Sequence, residues 1–107
     1  MHSVLETSAF SRRADDLLSR VERDELVDTL ARDPLAGDVI PGLGGVRKLR
    51  FAARGRGKSG GFRVIYYVLD DNLPILALLL YGKNEQDDLS ALQRQAVVSV
   101  VEKLRRA

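Results

Sequence analysis

Apolar positions fall into two periodicities along the chain, and the change between them divides it into elements. Phe10, Ala14, Leu17, Leu18 and Val21 recur at helical spacing behind Thr7 or Ser8, either of which suits an N-cap, so a helix is predicted from Ser8 to about Arg20. Leu26, Val27, Leu30 and Ala31 repeat the pattern from about Glu22 to Asp33, with Asp24 and Glu25 early and Pro34 just beyond the end. These two helices read as a hairpin. The period then drops to two. Val46 to Ala53 alternates, with Lys48 and Arg50 on one face and Leu49 and Phe51 on the other. Phe62 to Leu69 is rich in β-branched and aromatic residues, and Ile75 to Tyr81 is apolar on both faces, as a covered strand should be.

Punctuation fixes how these pieces connect. Pro41-Gly42 and Gly44-Gly45 make a loop of Asp38 to Gly45, and Asp70, Asp71 and Asn72 supply a turn. Turns this short between strands argue for an antiparallel meander. Ser3 to Glu6 carries a weak strand signal. A last helix from about Ser90 to Arg105 opens on the capping box Ser90-x-x-Gln93 and aligns Leu92, Ala96, Val100 and Leu104. The expectation is an α+β fold: an N-terminal helical hairpin, a small twisted antiparallel sheet covered by helices on one face, and a C-terminal helix. At 107 residues and 45% hydrophobic, the chain supports a single domain over residues 1–107.

Composition removes several chemistries. There is no cysteine, hence no disulfide and no thiol nucleophile, and the sole histidine is His2, so neither a Ser-His-Asp triad nor a histidine metal site is expected. No metal and no cofactor are called for. The N-terminus lacks a basic stretch followed by a long apolar run, and the longest apolar run, Pro74 to Tyr81, is too short to span a bilayer; a cytoplasmic protein away from membranes is expected.

The net charge of +2 conceals a strong asymmetry. Residues Met1 to Leu43 carry −4, Gly44 to Val68 carry +7 with no acid, and Leu69 to Ala107 carry −1. Clustered cations of this kind suit phosphate, with an acidic protein surface as the rival partner. Gly57-Lys58-Ser59 mimics the end of a phosphate-binding loop, but Ala52 stands where that motif needs glycine, and a strand follows where it needs a helix. Nucleotide hydrolysis is therefore not expected. Arg54, Arg56 and Lys58 of the same Gly-rich loop remain able to grip a polyanion. Lys48, Arg50 and Arg63 lie on neighbouring predicted strands about 4.8 Å apart, so they can surround one phosphate if their faces agree. Arg63 is the most telling, because a guanidinium in an otherwise apolar strand needs an anion to meet.

The ordered set Gly44-Gly45-Val46-Arg47-Lys48-Leu49-Arg50, Gly60-Gly61-Phe62-Arg63-Val64-Ile65-Tyr66-Tyr67 and Tyr81-Gly82-Lys83-Asn84-Glu85 resembles the RelE/ParE superfamily of toxins from bacterial type II toxin–antitoxin pairs, and within it the HigB-like branch of RelE. The resemblance runs over nearly the whole chain. It implies the RelE-like microbial RNase fold and a metal-independent endoribonuclease that cuts translated mRNA in the ribosome, with the ribose 2′-OH attacking the adjacent phosphodiester. Lys48 and Arg50 match the family's basic strand pair, Arg63 its transition-state arginine, and Lys83 the basic segment after the last strand. The second arginine of that segment is displaced or absent, with Asn84 nearby. The tyrosine near the last helix has no direct counterpart, and Tyr81 or Tyr67 stands in. Glu85 either positions Lys83 or is the base. Arg47, Arg54, Arg56, Lys58 and Asn84 are expected to contact RNA or ribosome. The implied partners are a cognate, HigA-like helix-turn-helix antitoxin, the ribosome and mRNA. Two other readings stand beside this one: a ParE-like inhibitor that binds DNA gyrase, and a basic binding module without activity.

Overall fold

The computed structural model describes residues 3–52, 61–70, 72 and 74–106. In chain order these form β1 (Val4–Glu6), α1 (Ser8–Leu17), α2 (Arg20–Arg32), β2 (Asp38–Val39), β3 (Arg47–Phe51), β4 (Phe62–Val68), β5 (Ile75–Gly82) and α3 (Ala91–Arg106).

Local capping decides where the helices begin and end. Thr7 caps α1, its hydroxyl accepting the Phe10 N–H at 3.0 Å while donating to the Leu78 carbonyl at 2.8 Å. One side chain thus starts the helix and ties it to β5. The expected run of α1 to Arg20 is cut at Leu17, because Ser19 leaves the helical conformation to cap α2. Ser19 and Glu22 form a reciprocal capping box, with contacts of 2.8 and 3.1 Å. Glu22 is therefore the third residue of α2 and not its start. The predicted box on α3 is present, with Gln93 N–H on the Ser90 hydroxyl at 3.1 Å and Ser90 N–H on the Gln93 amide oxygen at 2.9 Å.

The sheet has five strands in the order β1-β5-β4-β3-β2. The meander β3-β4-β5 is antiparallel as expected. The sheet as a whole is mixed, since β1 lies parallel to β5, Val4 opposite Ile75. A strand that enters before two helices reaches the far edge in the same direction as the last strand, which turn counting alone does not reveal. The predicted loop over Asp38 to Gly45 contains the two-residue edge strand β2, paired with Lys48 and Arg47. Gly42, Gly44 and Gly45 take positive φ of 80°, 74° and 103° in the turn that follows.

The expectation that helices cover one face of the sheet is corrected. Phe10, Ala14, Leu26 and Leu30 of α1 and α2 pack with Phe62, Val64, Tyr66, Ile75, Ala77 and Leu80 on one face. Val97 and Val101 of α3 pack with Ile65, Tyr67, Leu78 and Tyr81 on the other. Both faces of β4 and β5 are therefore buried, which explains their unbroken apolar runs. A bulge opposite Ile65 and Tyr66 puts an extra residue into β5. It leaves both Leu78 and Leu79 on the α3 side.

Two polar devices fasten the periphery. The buried Tyr66 hydroxyl donates to the Pro34 carbonyl and accepts the Gly37 N–H, both at 2.8 Å, pinning the chain between α2 and β2. Residue 37 has to be glycine, because a Cβ there would sit 2.8 Å from the Lys48 carbonyl oxygen and 2.9 Å from the Tyr66 ring. On the opposite edge, Arg23 of α2 grips Glu6 of β1 and Asp15 of α1. The Arg23 hydrogen bond holds the Glu6 carboxyl below its ordinary range, against partial burial. A carboxylate whose pKa is depressed by folding adds stability above its unfolded pKa and loses it as pH falls through the folded value. Thermal melts should therefore show Tm dropping between about pH 5 and pH 3, and Glu6→Gln should flatten part of that drop. The contribution of so accessible a pair is about 1 kcal/mol or less.

Candidate functional site

Strand register builds the site. Arg50 of β3 lies directly opposite Arg63 of β4, and Arg63 directly opposite Tyr81 of β5. Lys48 lies two residues from Arg50, opposite Ile65, and so shares the face that α3 covers. Two guanidinium groups opposite one another on neighbouring strands repel and weaken the sheet. Among the described residues neither is in an ion pair. Arg50 is exposed and Arg63 half-buried, its Nη1 leaning toward the Phe62 carbonyl at 3.4 Å. Such a pair suits an anion chemically, since an anion that bridges both arginines would remove the repulsion as it binds.

The segment between β5 and α3, residues 83–90, crosses this face as a strap. Its start is fixed by the Lys83 N–H on the Gly61 carbonyl at 3.0 Å. Its end is fixed by Gln86, whose amide donates to the Asp88 carbonyl at 2.8 Å and to the Gln93 amide oxygen at 2.7 Å. The strap buries Tyr81, which is only 2% exposed, with its hydroxyl 3.5 Å from the Asp87 carbonyl. Burial pushes the Tyr81 hydroxyl up from its ordinary pKa; Asp88 adds to the effect and Arg63 opposes it. The phenol stays protonated to strongly alkaline pH and is shielded from a ligand, which suits a strut for the strap. The strap also brings Asp88 to Lys48, Oδ1 to Nζ 3.1 Å. Nothing in the sequence singles out Asp88. Forty residues separate it from Lys48, and no local pattern joins them.

The other expected site residues are distributed differently. Glu85 binds Arg13 of α1 and accepts the Gly82 N–H at 2.9 Å, so its carboxylate is committed to the β5 edge and not to Lys83. Lys83 and Asn84 are exposed on the strap. Arg47 points to the opposite face, where it donates to the Gly37 carbonyl at 2.7 Å, so it fastens a loop and stands apart from the cation row. Tyr67 lies in line with the row but accepts from Arg105 of α3 at 3.3 Å, which leaves Tyr81 as the tyrosine nearest the arginines. Arg94 of α3, not singled out from sequence, is close enough to Tyr81 to act on it electrostatically. Arg54, Arg56 and Lys58, together with the Gly57-Lys58-Ser59 mimic, lie outside the described residues. No helix among the described residues is long and apolar enough to cross a membrane.

No protein-family model matches the chain. Solved structures do. The E. coli toxin RelE in its free state, a variant with two arginines changed to alanine, superposes with a TM-score of 0.62 at 16% identity, over 94% of this chain and 97% of that one. The toxin–antitoxin complex RelBE2 from Mycobacterium tuberculosis gives a TM-score of 0.59 at 21% identity, over 76% of this chain and 96% of the other. The fold is that of the RelE toxins. At these identities side chains have diverged widely, and the chemistry has to be argued from the cation row itself.

Proposed function

We propose that this chain is the toxin of a type II toxin–antitoxin pair, a single RelE-like domain of the HigB-like branch, and that it cuts translated mRNA on the ribosome. The observation that carries the reading is the Arg50–Arg63 row, in no ion pair among the described residues, with Lys48 beside it. In RNA cleavage by the substrate's own 2′-OH, the protein supplies no nucleophile and needs no metal ion. Its task is to orient the 2′-oxygen and to stabilise the extra charge on the phosphorane. Arg50 and Arg63 are the groups for that charge, and Lys48 flanks them. The likeness to a toxin solved with its antitoxin supports a cognate antitoxin here. We assign it the HigA-like, helix-turn-helix type and expect the ribosome and mRNA as the other partners. Lys83 and Asn84 are exposed on the strap, which supports contacts from them to RNA or ribosome.

Mapping of mRNA 5′ ends after brief induction tests the proposal. New ends should arise inside translated frames and vanish when translation is blocked. Growth arrest with no new ends, accompanied by a DNA-damage response, would replace it with gyrase inhibition.

A further inference from the structure

A cation row stabilises charge but cannot take a proton from a 2′-hydroxyl. Arginine does not deprotonate in proteins, Tyr81 is buried under the strap, and Glu85 is paired with Arg13 of α1 and the Gly82 N–H and not with a cation of the row. Two carboxylates of the strap, Asp88 and Asp87, act on Tyr81 electrostatically, and of the two Asp88 is the one paired, among the described residues, with Lys48. Its side chain is 71% exposed, whereas that of its partner Lys48 is 25% exposed. Only Oδ1 is engaged with Lys48. Asp88 is not required to start α3, whose opening is satisfied by Ser90 and Gln93. Nor is it free to wander, because the Gln86 amide holds its own carbonyl and joins it to Gln93. An accessible carboxylate is thus held at a fixed place beside Lys48 by a bonded strap.

Resting on the endonuclease reading above, we infer that Asp88 and Lys48 are the acid–base couple of the reaction, Asp88 as proton acceptor and Lys48 as proton donor. The 2′-O–H proton passes to the Asp88 carboxylate while the 2′-oxygen bonds to phosphorus. The P–O5′ bond breaks, and the departing 5′-oxygen takes a proton from the Lys48 ammonium. The products are a 2′,3′-cyclic phosphate and a 5′-hydroxyl. Protonated Asp88 then returns its proton to Lys48 across the 3.1 Å contact, restoring both groups. Arg50 and Arg63 hold the phosphoryl oxygens throughout.

The test uses the full chain, a defined mRNA on programmed ribosomes and the same RNA free in solution. Asp88→Asn keeps an acceptor for Lys48 but cannot take up the proton, so a purely positioning role would survive it. Single-turnover cleavage should slow by about 100- to 10,000-fold, with RNA binding unchanged or tighter. Asp88→Glu should restore part of the rate, and melting curves of both variants should overlay the parent. A substrate with sulfur in place of the 5′-bridging oxygen leaves without a proton. It should rescue Lys48→Ala and leave Asp88→Asn slow. Cleavage by Asp88→Asn within roughly threefold of the parent, well short of a general-base effect, overturns the couple, as does its rescue by the sulfur substrate. If the parent chain cuts neither RNA, the endonuclease reading falls first and the couple with it.

Discussion

Arg63→Ala should abolish the new mRNA 5′ ends and the growth arrest while leaving the fold intact. Arg63 is central to the row, with Arg50 opposite on one side and Tyr81 on the other. Removing a donor aimed at developing negative charge costs about 100- to 1,000-fold in rate. The effect on stability should be of the opposite character. Arg63 is in no ion pair among the described residues, and its removal relieves the like-charge contact with Arg50. Melting of the purified variant should therefore match or slightly exceed the parent. Lys is not an adequate substitute, because a point charge cannot bridge two phosphoryl oxygens as a guanidinium does, so Arg63→Lys should recover little. Retention of translation-dependent cleavage by Arg63→Ala would remove Arg63 from the site. Simultaneous loss of activity and of tens of degrees in Tm would show that the arginine holds the sheet and not the substrate.

The elements legible in the sequence were those with strong periodicity and local signals. The meander of β3, β4 and β5 followed from alternation and turns, and α3 from its capping box. Alternation put Lys48 and Arg50 on one face, but whether Arg63 shared it was left open, and the strand register that sets Arg50 opposite Arg63 supplies the answer. What the sequence concealed was long-range. The parallel pairing of β1 with β5 joins residues more than seventy positions apart, with no turn between them to announce it. The second covered face was hidden because a strand apolar on both sides says that it is buried, but not which helix buries it. The same limit hid the pairing of Asp88 with Lys48. Conversely, Arg47 and Glu85 looked like site residues because of their neighbours in the motif. Their side chains are taken up by Gly37 and Arg13, and those contacts exist only once the chain has folded.

Phe10→Ala should have the largest effect on stability of any single substitution considered, and it should reach activity only through the fold. Phe10 is 1% exposed and lies where α1, α2 and the sheet meet, clustered with Leu26, Leu30, Phe62, Val64 and Tyr66. Its removal leaves a cavity lined by strand residues that both faces hold in register, so the surroundings have little room to collapse. Truncation of a buried phenylalanine costs about 3–5 kcal/mol. Against a total of roughly 5–15 kcal/mol for a domain of this size, that is a large share. A fall in Tm of more than about 10 °C is expected by calorimetry. Thr7, three residues away, ties α1 to the Leu78 carbonyl, and Arg13 reaches the Leu80 carbonyl at 3.4 Å. Loosening α1 therefore releases the β5 edge, on whose far end Tyr81 supports the strap. Cleavage by Phe10→Ala should accordingly be near parental where the protein remains folded and be lost steeply as temperature approaches its lowered Tm. Arg63→Ala should be inactive at every temperature. A Phe10→Ala protein that melts within about 2 °C of the parent, far short of the cost of truncating a buried aromatic, would mean that α1 does not close this face of the sheet.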